Sequence, residues 1–254
     1  MDIYQLVADY IQFWRTYFPE GIQLTREKAN QRVGTPYLRR LLTSAQLRQL
    51  QDSIAPIYGA WALEGYQLSF MKALLLHLAT TTTGGTLLSL GSGPASLELF
   101  LLLTNLVDSV ILVDISDAML RRALSIASQL GLSDRVKVIC GDVTTVTLPI
   151  ADKTISIGAM HWSTSWQKWI EKAAESTKPG GLVFLEASMN FAQSGITREE
   201  FLGVAARSLN VTGSGFLLPL IEGLRAADLV CFYAAGLKRP KTIKEKPTKQ
   251  KKKR

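Results

Sequence analysis

Thr86–Asp114 reads TLLSLGSGPASLELFLLLTNLVDSVILVD. An apolar run, Thr86–Leu90, ends in Gly-Ser-Gly-Pro-Ala. A mainly apolar helical segment follows, and a second apolar run stops on Asp114. This is the order strand, tight turn, helix, strand, carboxylate, the build of a unit that cradles a nucleotide-bearing ligand. Gly91 and Gly93 lack side chains, so the backbone can turn sharply and a ligand can approach closely. Asp114 falls about where such a unit places the acid that accepts hydrogen bonds from ribose hydroxyls.

A Gly-x-Gly turn alone serves several ligands. The form GxGxxG would suggest NAD, but the sixth position here is Ser96. The downstream segments narrow the choice. Val136–Asp142 is VKVICGD, a strand ending on a second carboxylate, and Lys178–Glu186 is KPGGLVFLE, a turn feeding a buried strand. Together these segments resemble the class I S-adenosylmethionine-dependent methyltransferases over roughly Tyr58–Lys238. The resemblance is closest to the small-molecule branch, in which a His-Trp or His-His pair often follows the fourth strand; here it is His161-Trp162. Three positions depart from the family pattern. Ser89 stands where an acid usually helps hold the methionine amino group, Ala95 replaces a third glycine, and Ile155-Ser156 replaces a Phe-Asp pair.

The resemblance implies an α/β fold: a Rossmann-like, doubly wound, seven-stranded sheet, mostly parallel with an antiparallel final strand, behind an N-terminal helical cap. It also implies S-adenosyl-L-methionine as cofactor. Gly91, Ser92 and Gly93, with Ser89 before them, would pass beneath the methionine part. Asp114 and Ile115 would meet the ribose. Asp142 would sit near the adenine amino group with the Val143 N–H beside it, and Met160 would line the site after the fourth strand. Tyr58 would close over the cofactor. Methyl transfer from a sulfonium is an in-line displacement governed by proximity and orientation, and it requires no metal. His161, near neutral pKa when unperturbed, is the candidate catalytic residue as a general base; orienting the acceptor or walling its pocket are its other roles. Trp162, Trp166 and Trp169 have the spacing of a packed helix face or of a flat apolar wall, and His77 is expected to be structural.

At 254 residues and 47% hydrophobic, the chain suits one domain with an elaboration and a substantial core. The nearly apolar run around Leu97–Leu106 is too short for a bilayer span and reads as a buried helix. The N-terminus, MDIYQLVADY, has neither the basic region of a secretory signal nor the character of a transit peptide, so a cytoplasmic protein is expected. Cys140 and Cys231 fall in predicted strands, lack metal-ligand spacing, and are expected to be core thiols. The net charge of +8 is concentrated in Lys238–Arg254, whose ten basic residues and one acid contribute +9 and leave the body at −1. This tail should be disordered, and it is a candidate contact for nucleic acid or another polyanion and for nuclear import.

The spacing of Ile3, Leu6, Val7, Tyr10, Ile11, Trp14 and Phe18 predicts an amphipathic helix. Further helices are expected over Pro36–Ile54 and Trp61–Leu78, with a break at Pro56. Strands are expected near Thr86–Leu90, Ser109–Asp114, Val136–Cys140, Thr154–Met160 and Gly181–Glu186, with helices at Asp117–Leu130 and Gln167–Thr177. Thr197 opens one more helix, and the runs Gly215–Ile221 and Asp228–Leu237 are the expected final antiparallel pair. The division is therefore 1–57 helical cap, 58–237 cofactor-binding domain and 238–254 tail. The leading functional expectation is methyl transfer to a small-molecule acceptor. The alternatives are an RNA or protein methyltransferase anchored by the tail and a non-catalytic cofactor-binding scaffold; Ser96 disfavours a dehydrogenase.

Overall fold

The apolar run Thr86–Leu90 forms strand β1, near the middle of a seven-stranded sheet of order β3-β2-β1-β4-β5-β7-β6. The structure is a computed structural model that describes residues 3–20, 42–61, 83–163, 165–188, 196–217 and 231–240. The described helices before β1 are α1 (Ile3–Tyr17), α2 (Ser44–Ile54) and α3 (Tyr58–Trp61), with a 3-10 turn at Ala55–Ile57 between α2 and α3. After β1 come α4 (Ser96–Leu103), β2 (Ser109–Asp114), α5 (Asp117–Gln129), β3 (Val136–Cys140) and β4 (Ala151–Ser156). They are followed by α6 (Trp166–Glu175), β5 (Thr177–Ser188), α7 (Arg198–Ser208), β6 (Leu209–Leu217) and β7 (Cys231–Lys238). Strands β3, β2, β1, β4 and β5 pair in parallel, and β7 lies antiparallel to both β5 and β6. The expected α/β sheet with an antiparallel final strand is the observed one.

The strands read as apolar runs because both faces of the sheet are covered. Leu87, Val110, Leu112, Leu182 and Phe184 pack on one face under α1, α4 and α5. Their chain neighbours Leu88, Leu90, Val113, Val183 and Leu185 pack on the other under α6 and α7. Helix α4 is apolar nearly all round, with every residue but Leu103 buried. Tyr10 and Phe13 of α1 lie over it, their rings 5.2 and 5.7 Å from Phe100. A helix between a sheet and a second helix has no free face, which removes the polar stripe an outer helix would show.

Several expected boundaries move. Strand β4 ends at Ser156, not Met160: Gly158 turns with φ +67°, and Met160–Trp162 forms a 3-10 turn. Helix α5 ends at Gln129, and α6 spans Trp166–Glu175. The helical path runs on through Pro56 because a proline at the start of a turn needs no N–H donor. Strand β6 begins at Leu209, directly after α7. Cys140 is exposed, since β3 is an edge strand. Lys238 pairs with Leu209 in the sheet, and the Arg239 backbone N–H donates to Ser208 O at 3.1 Å, so both belong to the folded body. The rest of the expected tail beyond Pro240, His77, and the expected helix residues 36–41 and 62–78 lie outside the described residues.

Arg122 on α5 fastens the N-terminal helices to the sheet layer. Its guanidinium donates to Ala55 O at 2.5 Å and to Tyr17 O at 3.3 Å, pairs with Glu20 at 2.5 Å, and lies 4.8 Å from the Phe18 ring centre. Arg122→Ala should therefore destabilise the fold by about 2–3 kcal/mol. Urea unfolding, with limited proteolysis between Phe18 and Ser44, measures this; an unchanged midpoint would show that apolar packing alone seats these helices.

Candidate functional site

The chain moves outward from β1 through β2 to β3, then returns to β4 on the other side of β1 and continues to β5. The strand order thus reverses at β1/β4, and ligands of open α/β sheets bind outside the carboxyl ends of the strands at such a point. The glycine turn after β1, Asp114 at the end of β2, Asp142 after β3 and the 157–162 loop after β4 all lie at this edge.

The turn is held by its neighbours. The N–H groups of Gly91 and Ser92 donate to Val113 O at 2.7 and 3.1 Å, and the Gly93 N–H donates to Asp114 Oδ2 at 2.8 Å. Gly91 has φ +71°, and a Cβ there would fall 2.2 Å from the Ala159 Cβ, so the turn and the post-β4 loop meet only because residue 91 is glycine. A Cβ at Gly93 would sit 3.4 Å from the Tyr58 ring. Tyr58 thus lies over the turn, and its ring also packs against Trp14 and Phe18. Ala95 adopts φ +59°, the conformation that explains why a glycine would suit it.

Asp114 is buried and uses both oxygens: Oδ2 accepts from Gly93, and Oδ1 from the Ser116 N–H at 2.9 Å. Burial pushes its pKa up to about 6, against the lowering pull of these backbone donors, and Asp52 adds to the rise. Asp52 arrives from α2. Its Oδ1 accepts from Ser116 Oγ at 2.5 Å and from the Ala118 N–H at 3.3 Å, reinforcing the start of α5. Asp142 accepts from the Thr144 N–H at 2.8 Å, the Thr144 hydroxyl at 2.7 Å and Ser44 Oγ at 2.8 Å. Burial opposes its charge, but these hydrogen bonds outweigh burial and hold its carboxyl below the usual range. Helix α2 therefore crosses the edge, bonded at Ser44 to the β3 loop and at Asp52 to the start of α5. Val143 and Met160 are buried in the core, and Ile115 follows Asp114 with its carbonyl 3.8 Å from Cys140 Sγ.

Two of the departures from the family pattern are filled locally. Ser156 is buried, donates to Leu90 O at 3.1 Å and accepts from Trp169 Nε1 at 3.0 Å. Ser89 donates to Glu98 Oε1 at 2.5 Å. Glu98 was missed by the sequence reading; its signal was a lone acid within the apolar run of α4. Burial pushes its pKa up to about 7, with the Ser89 bond opposing and Asp114 adding to the rise.

His161 lies on the 3-10 turn and is only 3% exposed; burial alone holds its pKa down to about 3. The resting imidazole is therefore neutral and a weak base. Its ring sits 5.6 Å from that of Trp162, which packs against the cluster of Leu50, Ile54 and Met119. Trp166 and Trp169 are buried under the sheet with Ile170 and Val183, so they pack the core and do not share a face with Trp162.

The raised pKa of Glu98 fixes a pH dependence. The folded state disfavours its ionised form, so its contribution to stability is fully present below the unfolded value of 4.5 and is lost as pH rises through about 7. Glu98→Gln carries no charge to desolvate. Relative to the parent it should gain at most about 3 kcal/mol between about pH 4.5 and pH 8. Denaturant midpoints across that range would reveal it; a pH-independent difference would show that Glu98 ionises freely when folded.

The model of a methyltransferase domain matches residues 87–181, which run from β1 into β5. No curated protein matches the chain by sequence. Among solved structures, the [4+2]-cyclase SpnF is similar with a TM-score of 0.65 at 16% identity, covering 79% of this chain and 98% of the cyclase. The N-methyltransferase NodS of Bradyrhizobium japonicum, solved with S-adenosyl-L-homocysteine, has a TM-score of 0.61 at 14% identity, covering 76% of this chain and 98% of NodS. The phosphoethanolamine N-methyltransferase 2 of Haemonchus contortus, solved with phosphomonomethylethanolamine and S-adenosylhomocysteine, has a TM-score of 0.63 at 14% identity. That match covers 79% of this chain and 61% of the other. Residues 87–181 thus match a methyltransferase domain, and the chain has the fold of the solved methyltransferases it resembles.

Proposed function

We propose that the chain binds S-adenosylmethionine across the carboxyl edge of β1, β2 and β3 and transfers its methyl group to a small-molecule acceptor. The observation that carries this reading is the enclosure of the glycine turn. Tyr58 lies over Gly93, Asp114 is fixed beside it, and α2 is bonded across the edge at Ser44 and Asp52. A site roofed by the chain's own helices favours an acceptor small enough to enter beneath them. An extended polymer would need an open groove.

Asp114 would receive the ribose hydroxyls through the lone pairs its two backbone donors leave unused. Asp142 and Val143 would flank the adenine, and Gly91, Ser92 and Gly93 would face the methionine part, with Ser89, Ile115 and Met160 completing the surroundings. The bound cofactor supplies an electrophilic methyl group. The protein positions the acceptor about 3–3.5 Å from it in line with the leaving sulfur. His161 and Trp162 would wall that place, and a neutral His161 would orient the acceptor more readily than deprotonate it. The same fold carries different chemistry in the [4+2]-cyclase SpnF.

Calorimetry should give a clear isotherm with S-adenosylmethionine or its demethylated product and none with NAD. Asp114→Asn should weaken that binding by about 1.5–3 kcal/mol. A parent protein that binds NAD and not S-adenosylmethionine would overturn the reading. Release of S-adenosylhomocysteine in the presence of amine- or hydroxyl-bearing small molecules measures transfer; release with RNA or protein alone would favour the polymer alternative, and tight binding without release under any acceptor the scaffold alternative.

With an acceptor in hand, His161→Ala should raise KM several-fold while kcat changes little. A fall in kcat of about 10²-fold or more would instead make His161 the general base.

A further inference from the structure

A buried carboxylate normally has a cation or several donors near it, because an isolated charge is costly to bury. Glu98 is 5% exposed, yet among the described residues it pairs with no Lys, Arg or His. Among the described residues one side chain bonds it, Ser89 Oγ to Oε1 at 2.5 Å, and the Glu98 backbone N–H is its other donor. The groups facing it from the described elements are neutral or negative. Strand β1 offers Ser89, and β2 offers Asp114, whose charge acts against that of Glu98. Helix α1 offers Tyr10, whose hydroxyl is 3.2 Å from Ser96 Oγ of α4 and whose own pKa is pushed upward by burial and partly by Glu98.

The placement is specific. Ser89 precedes the 91–93 turn and Glu98 follows it, and the hydrogen bond between them closes the chain around the turn. On the other side of the turn, Asp114 holds the Gly93 N–H. Two buried carboxylates thus flank the turn, and among the described residues no cation pairs with either. A ligand bringing a primary ammonium into the turn would supply that cation.

We propose that Glu98, oriented by Ser89, is the anionic receiver for the α-ammonium of the bound cofactor's amino-acid end. The carboxylate comes from helix α4 instead of strand β1, and Ser89 serves as its positioning residue. This rests on the S-adenosylmethionine reading above and adds a binding residue to it.

The test separates the two ends of the ligand. S-adenosylhomocysteine carries the ammonium; 5′-methylthioadenosine carries the same nucleoside and thioether without the amino-acid end. Binding of both is measured by calorimetry with the full chain. Glu98→Gln should weaken S-adenosylhomocysteine tenfold or more while 5′-methylthioadenosine stays within about twofold. Adding Ser89→Asp to Glu98→Gln should restore most of the loss by returning a carboxylate to the strand. Equal effects on both ligands, or no effect on either, would overturn the proposal and leave the cofactor reading standing. A parent protein that binds neither ligand would overturn both together. If Glu98→Gln does not fold, Ser89→Ala carries the same comparison, with a smaller selective loss for S-adenosylhomocysteine expected and an unselective result overturning the role.

Discussion

The Asp114 carboxylate is the joint on which the carboxyl edge of the sheet depends. One oxygen holds the Gly93 N–H and the other the Ser116 N–H, so one buried side chain ties the glycine turn after β1 to the start of α5 after β2. Removing it would leave two backbone donors facing a dry interior, each costing about 1–3 kcal/mol. The carboxylate is retained despite its own desolvation, which pushes its pKa up to about 6. A group held at such cost beside a turn of positive-φ glycines is characteristic of a site built for a ligand.

Around this joint the N-terminal helices make the site an enclosure. Thr43 and Gln46 form a reciprocal capping box that starts α2, and the helix then carries Asp52 to the start of α5. Ser44 anchors its first turn to Asp142. Arg122 secures the far end of the same segment at Ala55. Beside these polar contacts, Leu50 and Ile54 of α2 pack on Met119 of α5 in a buried apolar cluster, so both kinds of contact seat the roof.

The clearest readings from sequence are those that depend on local pattern. The runs at 86–90, 109–114 and 136–140 form strands with those bounds, because apolar runs of five or six residues framed by glycine or polar turns have few other stable outcomes. The buried helix α4 follows from its apolar composition. The shift of β4 toward Ala151 was hidden because Ile-Ser-Ile-Gly-Ala-Met is apolar enough to extend a strand, and only the turn at Gly158 stops it. Cys140 has a core residue's chemistry but sits on an edge strand, and strand order is not written in the local pattern. Lys238 and Arg239 have a tail's composition, yet β6 captures them.

By itself the sequence determined the alternation of strands and helices, the glycine turn, and the carboxylates that end β2 and follow β3, because each is set by side-chain periodicity or backbone freedom within a few residues. The tertiary structure alone decided what those groups meet. Ser44 reaches Asp142 across 98 residues, Arg122 reaches Glu20 across 102, and Tyr10 reaches Ser96 across 86. It also decided that His161 is buried and neutral, and that Ser89 bonds Glu98 from the facing helix. Burial, charge balance and hydrogen-bond partners follow from the order in which the strands are laid side by side, and that order is fixed by packing the whole chain at once.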